Sequence, residues 1–477
     1  LSELIPVGLI YADAPLETVL RTYSLCRIGI HVVLFWLVLV KFRDVRGAIL
    51  LPLTLVTGLH FMFYYGTSEL NQGLSFTVLV WVLLVVGQPE VLPGGEVAHD
   101  LPHRLAEHLS DIAAILFFLM GAMTIVELVD AHEGFRVITD RITGTNKVTL
   151  MWVLSIITFF LSAALDNMTT AIVMCALLRK LIKDKHDLWT FAGMVIIAAN
   201  AGGAWSPIGD VTTIMLWIGG QVTTWNIIVK LIGPSLVCLL LPLVWFSFTF
   251  RGSIQRPERA EAHRTGKPVS RKQQRLVLFL GLVALLGVPL FKSVTHLPPY
   301  MGILLGLGVL WVVTELMHMR SMETETGHLR VTAVLRRIDV PSVLFFLGIL
   351  TAVAGLQEAG HLTDAAHFLD AQLGSMYAVN TVIGLLSAVV DNVPLVAAAM
   401  GMYPMEQYHP DHPFWELLAY CAGTGGSILI IGSAAGVAAM GILGIDFLWY
   451  VRRMAFPAAL GYFGGIIVFW LMWHNVH

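Results

Sequence analysis

Two short stretches, far apart in the chain, nearly repeat each other. Leu161-Ser-Ala-Ala-Leu-Asp166-Asn167 and Leu386-Ser-Ala-Val-Val-Asp391-Asn392 agree at five of seven positions, 225 residues apart. Each closes an apolar run with a carboxylate and an amide. The chain is 57% hydrophobic and 13% charged, so both pairs fall where a charge is costly. An ionisable group inside a bilayer is by default a functional one. A pair of them, one in each half, predicts two structural repeats around a central ion site.

Composition sets the class. Soluble domains carry about 25% charged residues. This chain has a mean hydropathy of +0.77, and many of its runs approach the ~20 apolar residues that cross a bilayer as a helix. The expected fold is an all-α polytopic membrane protein in contact with lipid. A net charge of −3 gives no reason to expect nucleic acid as a partner. Cys26, Cys175, Cys238 and Cys421 are scattered, without a CxxC or Cys/His cluster, so neither a disulfide framework nor a zinc site is expected. His99, His103 and His108 share one polar connector, which reads as a wet interfacial segment rather than a metal site. Ala12-Asp13-Ala14 has the form of a small-x-small cleavage site. Pro15 follows and a charged n-region is lacking, so no signal peptide is read there.

Full spans are expected at 22–40, 47–65, 74–91, 110–129, 225–250, 276–292, 299–318, 341–358 and 454–473. Regions 148–183 and 375–403 differ: Asp-Asn interrupts each, leaving arms of ~14–18 residues, marginal for a crossing. They are expected to be re-entrant hairpins with Asp-Asn at the tip. Regions 188–219 and 415–450 are long and interrupted by glycine and polar residues, as in helices broken at mid-membrane. The breaks align too. Asn200-Ala-Gly-Gly-Ala-Trp-Ser206-Pro207-Ile-Gly209-Asp210-Val-Thr212-Thr213 lies over Gly423-Thr424-Gly-Gly-Ser427-Ile-Leu-Ile-Ile-Gly432-Ser433-Ala-Ala-Gly436, at an offset of 223. Upstream, Phe117-Phe118-Leu119 matches Phe345-Phe346-Leu347 at an offset of 228. Three anchors in one order indicate duplication. The division is then 1–109 as N-terminal scaffold spans and connector, 110–250 as repeat one, 251–275 as linker, and 276–477 as repeat two.

Basic residues orient the chain. Segment 251–275 carries eight: Arg251, Arg256, Arg259, Arg264, Lys267, Arg271, Lys272 and Arg275. It is placed in the cytoplasm. Residues 131–147 and 179–187, which flank the first hairpin, are also basic, whereas 359–374 and 404–413, which flank the second, hold no Lys or Arg. The hairpins therefore enter from opposite sides and the repeat is inverted. About eleven crossings plus two hairpins follow, with the N-terminus inside and the C-terminus outside. Lys41, Arg43 and Arg46 fall outside on this scheme, against the bias.

A desolvated cation needs carboxylates for charge, with amide, hydroxyl and freed carbonyl oxygens to complete its shell. Half one offers Asp166, Asn167, Thr169, Thr170, Asn200, Ser206, Asp210, Thr212 and Thr213. Half two offers Asp391, Asn392, Thr424, Ser427 and Ser433. The halves are unequal: Asp210 stands over Ser433, Thr212 and Thr213 over Ala435 and Gly436, Thr169 and Thr170 over Pro394 and Leu395. The cation is expected nearer the first hairpin, with Asp166, Asn167, Asp210 and Thr212 as its nearest ligands. Each side chain also has a plainer role available. Asn167 and Asn392 can cap a helix, the threonines can bond back to their own helix, and Ser206-Pro207 can be a kink. A carboxylate taken out of water holds its proton more tightly, so one site that binds a cation or protons in turn makes an antiporter, with Asp166 expected as the principal point of competition, assisted by Asp210.

At these motifs the chain resembles the NhaD-type sodium/proton antiporters of the ion transporter superfamily. The resemblance rests on Ser162 through Met174, on Asn200 through Thr213 and on the Asp391-Asn392 hairpin, and it runs in order over about residues 110–477. It implies exchange of Na⁺ or Li⁺ for H⁺ across an energy-transducing membrane, taken here as the inner membrane of a bacterium, with no cofactor beyond the transported ions. It also implies a scaffold domain that forms a homodimer and a transport domain that moves like an elevator. It assigns ion binding to Asp166, Asn167, Asn200, Asp210, Thr212 and Thr213.

Two other functions compete. An anion or neutral-oxyanion permease of the same superfamily, for dicarboxylate, arsenite or silicic acid, would use hydroxyl and amide tips with helix N-termini. Three acidic positions argue against a carboxylate substrate and less strongly against a neutral hydroxide. A membrane-embedded enzyme such as an intramembrane protease would need a nucleophile with a base, or metal ligands. No HExxH, GxSxG or paired-His motif occurs, so no enzyme is expected.

Overall fold

The computed structural model describes residues 101–139, 144–256, 269–318, 329–358 and 360–474. The expected spans at 22–40, 47–65 and 74–91, together with Cys26, His99 and the Lys41–Arg46 loop, lie outside them.

Apolar runs in lipid must satisfy their backbone internally, and here they do so as helices. In chain order these are α1 (Leu101–Ala131), α2 (Lys147–Leu165), α3 (Asn167–Leu181), α4 (Lys185–Ala204), α5 (Val211–Ile218), α6 (Thr224–Thr249), α7 (Arg271–Thr295) and α8 (Pro299–His318). There follow α9 (Val340–Glu358), α10 (His361–Leu373), α11 (Met376–Leu386), α12 (Asn392–Met402), α13 (Pro413–Gly425), α14 (Ala434–Leu443), α15 (Phe447–Arg453) and α16 (Ala455–His474). Polar side chains start many of them. Asn146 accepts from Thr149 N at 3.0 Å, and Asp184 from Asp187 N at 2.8 Å. Ser270 and Gln273 form a capping box on α7. Among the described residues, seven helices are long and apolar enough to cross a membrane: α1, α2, α6, α7, α8, α9 and α16. The fold is all-α and polytopic.

The hydrogen bonds sort the chain's connections into two ends. At one end, Lys147 N donates to Gly252 O and Lys183 N to Gln255 O, both at 2.9 Å. Lys147 Nζ reaches Asp187 at 2.7 Å. The start of α2 and the exit of α3 thus lie side by side, so the chain turns back on itself at Asp166. At the other end, Asn380 Nδ2 donates to Phe414 O at 3.3 Å, and the Tyr403 ring lies 4.7 Å from that of Phe414. The start of α11 and the exit of α12 are therefore also neighbours, and the chain reverses between them near Asp391. Thr223, which precedes α6, joins this second end: its N–H donates to Asp411 at 2.6 Å. Since α6 runs from Thr223 to the 252–255 segment, the two reversals open toward opposite ends of it.

The helices carrying the Phe-Phe-Leu match, α1 and α9, run antiparallel. His108 near the start of α1 meets Glu358 at the end of α9 at 2.9 Å. Glu127 near the end of α1 meets Arg337, just before α9, at 3.6 Å. The packing is paired as well: α2 packs on α4 as α11 packs on α13, and α3 packs on α14 as α12 packs on α5. Glycine makes the breaks tight. A Cβ on Gly209 would sit 2.8 Å from Gly203 O, and one on Gly432 would sit 2.6 Å from Ala388 O. Both are closer than real side chains tolerate, so only glycine lets the first break fold back on its own half-helix and the second press on the hairpin ahead of Asp391.

Residues 361–373, in the stretch that flanks the second hairpin, fold into α10, framed by Gly360 and Gly374 at φ of 77° and 62°. Region 415–450 has its break between α13 and α14 and a further turn of 118° between α14 and α15. Gly444, at φ 59°, makes that turn possible. Asp166, rather than Asn167, caps the second arm of the first hairpin.

Candidate ion-binding site

The centre of the polar cluster is Asp210, 1% exposed, at the N-terminus of α5. A carboxylate so buried costs several kcal/mol unless it is well hydrogen-bonded. Four donors surround this one. Oδ1 accepts from Thr212 N at 2.9 Å and Thr212 Oγ1 at 3.0 Å. Oδ2 accepts from Asn167 Nδ2 at 2.5 Å and Asn392 Nδ2 at 3.2 Å. Two of those donors are local to the cap; the other two come from the two hairpin tips. Thr213 completes a capping box, its hydroxyl accepting from Asp210 N at 3.2 Å.

Asn200 extends the cluster into the second broken helix. Its Oδ1 accepts from Asn167 at 3.1 Å. Its Nδ2 donates to Ser427 Oγ and Ser433 Oγ, both at 2.9 Å. One unbroken network therefore runs from Ser427 and Ser433 through Asn200 and Asn167 to Asp210, then to Asn392. It joins both hairpin tips and both helix breaks. Beside it, the Thr170 hydroxyl is buried and has no hydrogen-bond partner among the described residues. An unsatisfied buried hydroxyl is unusual and supplies one more oxygen for a ligand.

The two hairpin carboxylates differ. Asp166 adopts φ 135° and ψ 161°, a region that only glycine enters freely. Such strain costs about 1–3 kcal/mol and collects at functional positions. Its carboxylate accepts from Thr169 N and Thr169 Oγ1, both at 2.7 Å. Asp391 has an ordinary φ of −51° and accepts no capping hydrogen bond. Both stand half-buried at their tips.

Two predicted members are committed elsewhere. The Ser206 hydroxyl donates to Ala163 O at 2.6 Å, fastening the first break to the first hairpin. The Thr424 hydroxyl bonds back to Tyr420 O at 2.6 Å on its own helix. Two further residues escaped the sequence argument although they lie inside the repeated motif. Ser162 donates to Ala199 O at 2.6 Å and Ser387 to Ala422 O at 2.8 Å. Each ties a hairpin's first arm to the adjacent broken helix, and their identity at the 225-residue offset was the available signal.

These features define a class: a polytopic all-α membrane protein with a buried acid-amide-hydroxyl cluster where helices break. The YdaH transporter of Alcanivorax borkumensis has a similar fold, with a TM-score of 0.52 at 11% identity over 85% of this chain and 98% of that one. The sequence profile of the citrate transporter family, CitMHS, matches residues 33–419. Sodium/proton antiporter 1 of Arabidopsis thaliana is 49% identical over 91% of this chain and 73% of its own length. Sodium/proton antiporter 2 of the same plant is 47% identical over 85% of this chain and 96% of its own. The Na⁺/H⁺ antiporter NhaD of Alkalimonas amylolytica is 32% identical over 77% of each chain. The chain belongs to the CitMHS transporter family and, within it, to the NhaD-type sodium/proton antiporters.

Proposed function

We propose that this protein exchanges Na⁺ or Li⁺ for H⁺ across a membrane, with Asp210 as the group on which cation and proton compete. The observation that carries the reading is the meeting of Asn167 and Asn392 on that one buried carboxylate. A carboxylate ringed by amide and hydroxyl groups offers a hard cation both charge and neutral oxygens. Rotation of an asparagine amide presents Oδ1 instead of Nδ2, so the same side chains serve a charged carboxylate and a bound cation. Asp166, Thr169, Thr170, Thr212, Thr213, Asn200 and Asp391 complete the proposed set, with Ser427 and Ser433 holding Asn200. The names of the Arabidopsis and NhaD relatives agree with this substrate.

The opposite openings of the two reversals and the antiparallel α1 and α9 support an inverted repeat. An inverted repeat supports alternating access by an elevator movement, with the hairpins and broken helices as the moving part. A scaffold-mediated homodimer in lipid belongs to the same proposal. The membrane is one that holds a proton gradient; the bacterial inner membrane is one such, and the Arabidopsis relatives place the family in a plant as well.

A carboxylate substrate is the second reading, prompted by the description of the matching family. It is disfavoured because Asp166, Asp210 and Asp391 would face an anion. The test is purified protein in liposomes with an internal pH dye, pulsed in turn with Na⁺, Li⁺, K⁺ and citrate. Proton movement is expected with Na⁺ or Li⁺ and lost in Asp210→Asn. A response to citrate alone would replace this reading with the second.

A further inference from the structure

Lys292, in the last turn of α7, grips the far end of the half-helix that carries Asp210. Its ammonium donates to Trp217 O at 2.6 Å and stands 4.4 Å from the centroid of the same residue's ring. Trp217 is 1% exposed. Phe118 of α1 meets its ring edge-on, with centroids 6.4 Å apart. Trp217 is therefore wedged between α1 and the Lys292 side chain.

The half-helix α5 has eight residues. At ~1.5 Å per residue its two ends lie about 11 Å apart, so it moves as one short rod. Its C-terminal carbonyls carry the negative end of the helix dipole; Met215 O and Leu216 O accept from Gly219 N and Gln221 N of the following turn, and Trp217 O accepts from Lys292. Lys292 answers the dipole there, while Asp210 and its cap occupy the positive end. The partners differ in attachment: α7 packs with α1 and α8, whereas α5 packs mainly on α12 and α13 and touches α1 through Trp217. The Lys292–Trp217 contact thus crosses from one helix group to the other.

We propose that Lys292 is a positioning residue for exchange: by tethering α5 to α7 it sets where Asp210 stands relative to Asn167 and Asn392. The proposal rests on the exchange reading above. A neutral replacement leaves the C-terminal end of α5 held only by the Trp217–Phe118 contact and the backbone of the following turn, and Asp210 then leaves the reach of its asparagines more often. A lysine that merely stabilises the fold predicts lower yield and melting temperature, with cation affinity unchanged.

The test uses Lys292→Met and Lys292→Arg in the full chain, with two readouts. In liposomes, Lys292→Met is expected to weaken apparent Na⁺ affinity about tenfold, the worth of a charge-assisted hydrogen bond with cation–π support, while the maximal rate changes less. Lys292→Arg is expected to stay within about twofold. In detergent, amide exchange over residues 211–218 is expected to quicken in Lys292→Met, and that over α3 and α12 to stay as it was. Wild-type Na⁺ affinity in Lys292→Met, equal impairment of both variants, or unchanged exchange over 211–218 overturns the tether. If Lys292→Met fails to fold, Lys292→Gln takes its place, with a loss between the other two. If the wild-type protein moves no protons with Na⁺, the exchange reading fails, and the amide measurement still decides the tether.

Discussion

Asn167 and Asn392 occupy matching positions of two hairpins, 225 residues apart in the chain, and their amides meet on one carboxylate. Neither asparagine caps its helix. In the first hairpin that task falls to Asp166, which leaves Asn167 free to reach across to Asp210 and Asn200.

The first prediction concerns these amides. Asn167→Ala and Asn392→Ala each remove a hydrogen bond to a buried charge, worth ~1.5–3 kcal/mol. Apparent Na⁺ affinity is expected to fall by about tenfold or more in each. Because both act on Asp210, the double variant should lose less than the product of the single losses. Ser206→Ala, which breaks the bonds to Ala163 O and from Ile208 N but none to Asp210, should keep Na⁺ affinity within about threefold and lower the melting temperature instead. Strict additivity of the asparagine variants would separate their roles.

Asymmetry between the breaks gives the second. Asp210→Asn is expected to abolish Na⁺-driven proton movement. Ser433→Ala removes an acceptor for Asn200 and the cap on Gly436 N, but no charge, so it should retain measurable exchange. Equal loss in the two variants at equal expression would argue against a site weighted toward half one.

Sidedness provides the third. His186 and His409 are both exposed and lie near the openings of the first and second hairpins. With Cys26 replaced, cysteines introduced as His186→Cys and His409→Cys should react with a membrane-impermeant maleimide from opposite faces. The buried Cys175, Cys238 and Cys421 should stay silent. Labelling of both from one face would defeat the inverted arrangement.

The fourth follows from competition between a cation and protons at carboxylates. Apparent Na⁺ affinity should strengthen as pH rises, by up to ~10-fold per unit for each competing proton. On the acid side, protonated carboxylates lack the charge that holds Na⁺; on the alkaline side, affinity should level off. In a direct binding measurement, Asp210→Asn should flatten the dependence. A flat profile in the unmutated protein would exclude a shared site.

Much of this was legible in the sequence because hydropathy is a strong signal in lipid. The expected span 299–318 coincides with α8, and 341–358 with α9 to within a residue. The candidate cluster was legible through repetition, since Asp-Asn and the glycine-rich breaks recur in order. What was not legible depends on who bonds whom. Ser206 and Thr424 have the right chemistry, yet a hydroxyl at a break or mid-helix often finds a backbone carbonyl first. Ser162 and Ser387 were not singled out, because their partners, Ala199 O and Ala422 O, are main-chain atoms that no motif displays. Lys292 lies more than seventy residues from Trp217, and no pattern in the chain connects them.

Proton release on Na⁺ binding tests the central claim most directly. Purified protein in weakly buffered detergent is titrated with NaCl against a choline chloride control while the bulk pH is followed. The account predicts that Na⁺ releases protons from the wild-type protein, most strongly on the acid side of its working range, and none from Asp210→Asn. Release from Asp210→Asn equal to wild type, or none from the wild-type protein at any pH where it binds Na⁺, would contradict it.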